Sequence, residues 1–69
     1  MNDLTTGEMF AIARRRKGML QGELTKLTRL NKVTIYNLEH GSNATIGTMR
    51  AVAKALGYKL VIELEEIEK

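Results

Sequence analysis

Cysteine and proline are both missing from this 69-residue chain, and histidine, serine and aspartate occur once each. Without cysteine no disulfide can brace the fold and no thiolate can hold a metal, and the composition suits a reducing cytoplasm. One histidine cannot close a metal site by itself, so no metal and no other cofactor is expected. A serine triad would need Ser42, His40 and Asp3 to meet, and the first two are near neighbours in a single breaker cluster; the chain is therefore not expected to be an enzyme. Long apolar runs are also lacking. Nothing approaches the roughly 18 residues of a membrane span, and the N-terminus has no signal-peptide core, so a soluble, intracellular chain with no membrane partner is expected.

What is present is a basic body with an acidic end. Residues 1–62 hold ten Lys/Arg against four Asp/Glu, a net +6, whereas residues 63–69 hold one Lys against four Glu, a net −3. A polyanion should therefore bind away from the C-terminus. The length fits one domain whose single core is marginal alone, and dimerisation is an obvious supplement.

Helix signals follow in series. Thr5-Thr6-Gly7-Glu8 has capping-box spacing, with Thr5 as N-cap and Glu8 reaching back. Met9, Phe10, Ile12 and Ala13 follow, Arg14 to Lys17 place cations in the last turn, and Gly18 supplies a left-handed stop. Met19 is expected as a buried link. Residues 21–39 read as two short amphipathic helices, Gln21 to Thr28 and Lys32 to Glu39, with Asn31 as the second N-cap. Leu24, Leu27, Ile35 and Leu38 are the expected core positions, Leu30 plugs the corner, and Thr25 allows a close helix crossing. After the breaker His40-Gly41-Ser42-Asn43, Thr45 caps a fourth helix whose apolar stripe is Ile46, Met49, Val52, Ala53 and Leu56. Met9, Met19 and Met49 are expected to fill the core.

Beyond Gly57 the hydrophobic period falls from 3.6 to 2. Tyr58, Leu60, Ile62 and Leu64 alternate with Lys59, Val61, Glu63 and Glu65, which predicts a strand. No other segment looks like a strand, so its simplest partner is the same strand of a second copy, antiparallel about a two-fold axis. A continued C-terminal helix is the competing reading of the Glu-rich end.

Gln21-x-x-Leu24-Thr25, Leu27-Thr28-x-Leu30, Thr34-Ile35-x-x-Leu38-Glu39 and Gly41 resemble the lambda-repressor-like helix-turn-helix family, also called Cro/CI or XRE. Ile12 to Gly18 is similar to its first helix and Met49 to Gly57 to its fourth, so the resemblance covers roughly residues 8–57. The end, Leu56 to Leu64, is similar to a subgroup of small repressors and antitoxins with a C-terminal dimerisation strand. The resemblance implies a mostly α, four-helix DNA-binding domain over residues 1–57, and a dimerisation segment over 58–69 with Tyr58, Leu60, Ile62 and Leu64 in the strand. Two positions depart from the pattern. Leu20 stands where a polar N-cap is usual, so that helix start is expected to be frayed or capped otherwise, at a cost of about 1 kcal/mol. Arg29 stands where glycine is common, at a turn position that costs a non-glycine residue roughly 1–2 kcal/mol if left-handed.

In such a domain the second helix of the motif enters the major groove. Its outward residues, Lys32, Val33, Tyr36 and Asn37, are the base-reading candidates. Gln21, Asn31, Thr34, Ser42, Asn43 and Arg29 are the phosphate candidates, with Lys26 adding general attraction. The resemblance pairs Arg14 with Glu39 in a partly buried salt bridge that orients the recognition helix. It implies double-stranded DNA and a second copy of the chain as partners, in a bacterial or phage-encoded cytoplasmic protein associated with the nucleoid. The leading expectation is a dimeric repressor reading an inverted repeat. The alternative is an antitoxin that binds a toxin protein and represses its own operon.

Overall fold

The structure, a computed structural model, describes residues 4–41 and 44–68. It contains α1 (Thr6–Arg16), α2 (Gln21–Thr28), α3 (Lys32–Glu39) and α4 (Ile46–Ala55). Three of the helices begin where a side chain accepts from the first-turn N–H groups. Thr5 Oγ1 accepts from the Glu8 N–H at 3.1 Å while Glu8 Oε1 accepts from the Thr5 N–H at 2.8 Å, a complete capping box. Asn31 Oδ1 accepts from the Thr34 N–H at 2.8 Å, and Thr45 Oγ1 from the Thr48 N–H at 3.1 Å. The α2 start is capped differently. Leu20 offers no side-chain acceptor, but Glu23 reaches back to its N–H at 2.7 Å, which supplies half of a capping box.

The ends of α1 and α4 share one device. Gly18, at φ 69°, lets its own N–H reach the Arg15 carbonyl (2.9 Å) and the Met19 N–H reach that of Arg14 (3.1 Å), a Schellman motif. At the end of α4 the N–H groups of Gly57 and Tyr58 bond the carbonyls of Lys54 and Ala53 in the same pattern.

The inward faces follow a common spacing of i, i+3, i+4, i+7. In α1 these are Gly7, Phe10, Ala11 and the half-buried Arg14; in α2, Gln21, Leu24, Thr25 and Thr28; in α4, Met49, Val52, Ala53 and Leu56. From α3 come Ile35, Leu38 and Glu39. Leu24, Ile35, Val52 and Leu56 form the centre, with Leu30 and Met19 packed against it. Helix α1 lies on α3, and α2 on both α3 and α4.

That spacing corrects three expectations. Leu27 is 59% exposed, because the inward stripe of α2 runs through Thr28 and leaves Leu27 on the flank. Met9 precedes Phe10 in the same way and is exposed, and Ile46, in the first turn of α4, is exposed as well. Gly7 is a core position that the apolar pattern does not reveal. It is where α1 crosses the end of α3: a Cβ there would collide with the Leu38 carbonyl oxygen and come within 2.8 Å of that of Glu39.

The expected C-terminal strand is not seen. Residues 58–68 have neither helix nor strand, since a strand exists only by pairing and the single chain holds no second extended edge among the described residues. Leu60 is half-buried against the core, whereas Tyr58, Ile62 and Leu64 are exposed. Among the described residues no helix is long and apolar enough to cross a membrane.

Candidate nucleic-acid interface

The break between α2 and α3 is held by its own side chains. Thr28 Oγ1 donates to the Leu24 carbonyl at 2.7 Å and accepts from the Leu30 N–H at 3.2 Å, tying the end of α2 to the corner residue. Arg29 follows in the left-handed region, φ 64° and ψ 14°, and its N–H bonds the Thr25 carbonyl at 2.8 Å. It is the one non-glycine residue with positive φ among those described. The conformation costs a side-chain-bearing residue about 1–2 kcal/mol, offset here by the closed turn and the corner packing of Leu30.

With Ile35, Leu38 and Glu39 buried, the opposite side of α3 is fixed. Lys32, Val33, Tyr36 and Asn37 are all exposed and sit at i, i+1, i+4, i+5, so they form one continuous outward stripe. Asn31 is spent in part on the cap through Oδ1, leaving its amide N–H groups for other partners, and Thr34 is half-buried beside it. Lys26 and Lys32 line one shallow recess with Gln21, Gly22 and Glu23 at the α2 start, which places two cations beside that helix N-terminus. Arg29 is exposed. Ser42 and Asn43 lie outside the described residues.

Behind the stripe is a charged network joining three helices. Arg14 Nε donates to Glu39 Oε2 at 2.7 Å and Nη2 to Oε1 at 3.1 Å, while Nη1 donates to the Met19 carbonyl at 2.7 Å. Glu39 Oε1 also accepts from Gln21 Nε2 at 3.0 Å. The Arg14 and Glu39 side chains are only 11% and 3% exposed. Burial opposes ionisation of Glu39, but the hydrogen bonds from Arg14 and Gln21 and the charges of Arg14 and Arg15 outweigh it, and the carboxyl titrates below its ordinary range. Two-pronged contact with a guanidinium suits a buried carboxylate, because each oxygen keeps a charged donor.

Sequence reasoning makes Gln21 a phosphate contact and nothing more; in the structure one of its amide hydrogens is committed to Glu39. No sequence signal links residues 18 apart in this way. His40 is expected from the sequence to cap α3 or to touch phosphate; its stacking on Tyr36 is a further contact. The rings of Tyr36 and His40 stack with centroids 3.9 Å apart and 19° between planes, and His40 Nδ1 donates to the Tyr36 carbonyl at 2.8 Å. Their i, i+4 spacing on a helix makes such a pair possible. His40 thereby closes the end of α3 and clamps one side of the Tyr36 ring.

Comparison with curated proteins gives no match. Among solved structures, the chain is similar to a HipB variant in complex with an O2 20-mer, at TM-score 0.77 and 20% identity over 96% of this chain and 99% of that one. It is similar to HipB with an O4 20-mer at TM-score 0.76 and 20% identity, over 96% of this chain and 100% of that one. A HipB–O1–O2 complex matches at TM-score 0.72 and 23% identity, over 96% and 99%. These likenesses bear on the fold. The helix-turn-helix family itself matches residues 10–62, which spans all of α2, α3 and α4 and most of α1. The chain belongs to the helix-turn-helix family, of the Cro/CI and XRE type.

Proposed function

We propose that this chain is a homodimeric transcriptional repressor that binds double-stranded DNA and reads an inverted-repeat operator through the major groove. The observation that carries the reading is the outward stripe of α3, four exposed side chains on a helix whose other face is locked into the core. A helix held this way presents base-reading groups already ordered. Lys32 donates to guanine O6 and N7, Asn37 makes the paired contact to adenine N6 and N7, Val33 packs on a thymine methyl, and Tyr36 contributes its ring or hydroxyl. Gln21, Asn31, Thr34 and Arg29 take phosphates and set the register. Residues 58–69 form the dimerisation segment, with Tyr58, Leu60, Ile62 and Leu64 in paired strands. Repression then follows from occupancy, as two recognition helices about 34 Å apart block access to the site. The fold likeness to HipB, solved in complexes with 20-mers, supports the reading.

Selection of bound duplexes from a random pool tests it. Enrichment of a palindrome with half-sites one helical turn apart is expected; retention of all sequences alike at about 0.15 M salt would leave only phosphate binding and refute it. A second reading, an antitoxin that binds a toxin protein and represses its own operon, is favoured by the exposed Leu64 and Ile67 among four glutamates. A co-purifying protein that is lost on deletion of 58–64, with the helices still folded, would mark that role.

A further inference from the structure

An apolar groove of about 240 Å³ runs between α1 and the end of α4, lined by Met9, Phe10, Ala13, Leu56, Tyr58 and Leu60. A neighbouring recess shares Met9, Ala13 and Tyr58 and adds Arg16. The rim is cationic: Lys59 lines the groove, and the Lys17 ammonium lies 5.4 Å from the centre of the Tyr58 ring. The far end of the chain has the opposite character. In Glu63-Leu64-Glu65-Glu66-Ile67-Glu68 the two apolar residues are 99% and 83% exposed and the remaining four are glutamates.

We propose that residues 63–68 of one copy lie in the α1–α4 groove of a second copy, Ile67 entering the apolar floor and the glutamates meeting Arg16, Lys17 and Lys59. This rests on the dimer of the preceding section and says what the chain does beyond its paired strand. Antiparallel pairing of residues 58–64 about a two-fold axis sets residue 58 opposite residue 64. Leu64 is thereby delivered to Tyr58 of the partner subunit, on the wall of the groove, and Ile67 is carried on towards the end of the partner's α4. The chain's own tail is poorly placed to fill its own groove. It leaves the groove at Leu60, and residues 61–68 contain no Gly, Pro, Asn, Asp or Ser to turn it back. Exchange of tails thus covers in each copy an apolar face that the single chain leaves open, and it sets acidic charge where no nucleic acid is expected to bind.

The test is the dimer dissociation constant of the full chain by sedimentation equilibrium, for the parent and for Ile67→Glu. Ile67 lies beyond the proposed strand and is exposed in the single chain, so the substitution spares both the helices and the pairing register. An increase of at least about tenfold is expected, from losing two buried isoleucines per dimer. A parent that dimerises while Ile67→Glu dimerises equally well overturns the tail exchange and leaves the strand dimer standing; a monomeric parent overturns the dimer itself. The cysteine-free chain allows a second arm. Oxidised Met9→Cys/Ile67→Cys should give a disulfide between chains. A disulfide confined to one chain, or none, overturns the proposal.

Discussion

Replacing Glu39 by Gln is the sharpest perturbation of this molecule, because it changes one atom and one charge inside a nearly closed network. Glu39 accepts three side-chain hydrogen bonds, two from Arg14 and one from Gln21, with both oxygens in use. Glutamine retains one acceptor oxygen and turns the other into a donor, which then faces a donor whichever way the amide lies. Arg14 keeps its bond to the Met19 carbonyl but loses its counter-charge at 11% exposure. Breaking such a pair from one side costs about 3–5 kcal/mol; the bond to Met19 and the partial exposure of Arg14 favour the lower end, about 3 kcal/mol. A domain of this length has a total stability of roughly 3–10 kcal/mol, so the loss is a large share of it. The thermal midpoint should fall by about 20 °C.

Far-UV circular dichroism during heating and urea titration at neutral pH measures this directly. An unchanged midpoint would refute the idea that the pair holds the fold. Two controls separate charge from shape. Arg14→Met/Glu39→Met should recover much of the loss, because an apolar pair of similar volume leaves no orphaned charge. The pH profile should also change. The folded carboxyl titrates below its unfolded value, so its contribution is fully present above the unfolded value of about 4.3 and is lost as pH falls through the lower folded one. The parent should therefore lose stability on acidification through that window more steeply than Glu39→Gln.

Gly7→Ala should destabilise by about 3 kcal/mol in urea titrations, since the new methyl meets backbone carbonyls of α3 that cannot step aside; a neutral result would mean that α1 and α3 are not this close. Arg29→Gly should raise stability by about 1 kcal/mol by relieving the left-handed backbone, while lowering the salt dependence of DNA binding by about one counterion if Arg29 meets a phosphate. Asn37→Ala should weaken binding to the selected duplex by about 1–3 kcal/mol and relax preference at one base position per half-site, whereas Lys26→Ala should weaken all sequences alike. Equal loss across sequences for Asn37→Ala would remove it from the base-reading set.

The helices were legible because their signals are local. Thr5 with Glu8, Asn31 with Thr34 and Gly18 with Met19 each settle a boundary within a few residues, and those boundaries stand in the structure. The core was less legible where two chain neighbours compete for one inward slot. Met9 and Phe10 are adjacent and both apolar, so hydrophobicity does not choose between them; Leu27 is more apolar than the half-buried Thr28 beside it, yet the packing of α2 turns Leu27 outward. Gly7 was hidden for a related reason. A glycine in a first helical turn reads as a weak helix former, and its purpose, room for two carbonyls of α3, is a contact with residues far along the chain. The C-terminal alternation is a different case: a period of two announces a half-buried extended segment, but pairing is a property of two edges and one chain supplies a single one.

Under the proposed function, the Arg14–Gln21–Glu39 network should connect stability to recognition, because its hydrogen bonds join the helices that frame the outward stripe. Arg14 belongs to α1, Gln21 opens α2 and Glu39 closes α3, so one carboxylate fixes the start of one helix of the motif against the end of the other. In the proposed complex, the angle between α2 and α3 would set where Lys32 and Asn37 meet a groove once the α2 start meets the phosphates. Loosening Glu39 should therefore disturb phosphate register and base contact together in that complex, with the ion pair acting through the helices it joins. A variant that loses the pair but is restabilised elsewhere separates the two roles. Arg14→Met/Glu39→Met, folded at the temperature of the binding assay, should bind the selected duplex with reduced discrimination against single-base variants. If it discriminates as well as the parent, packing alone sets the helix angle, and the network contributes stability without aiming the reader.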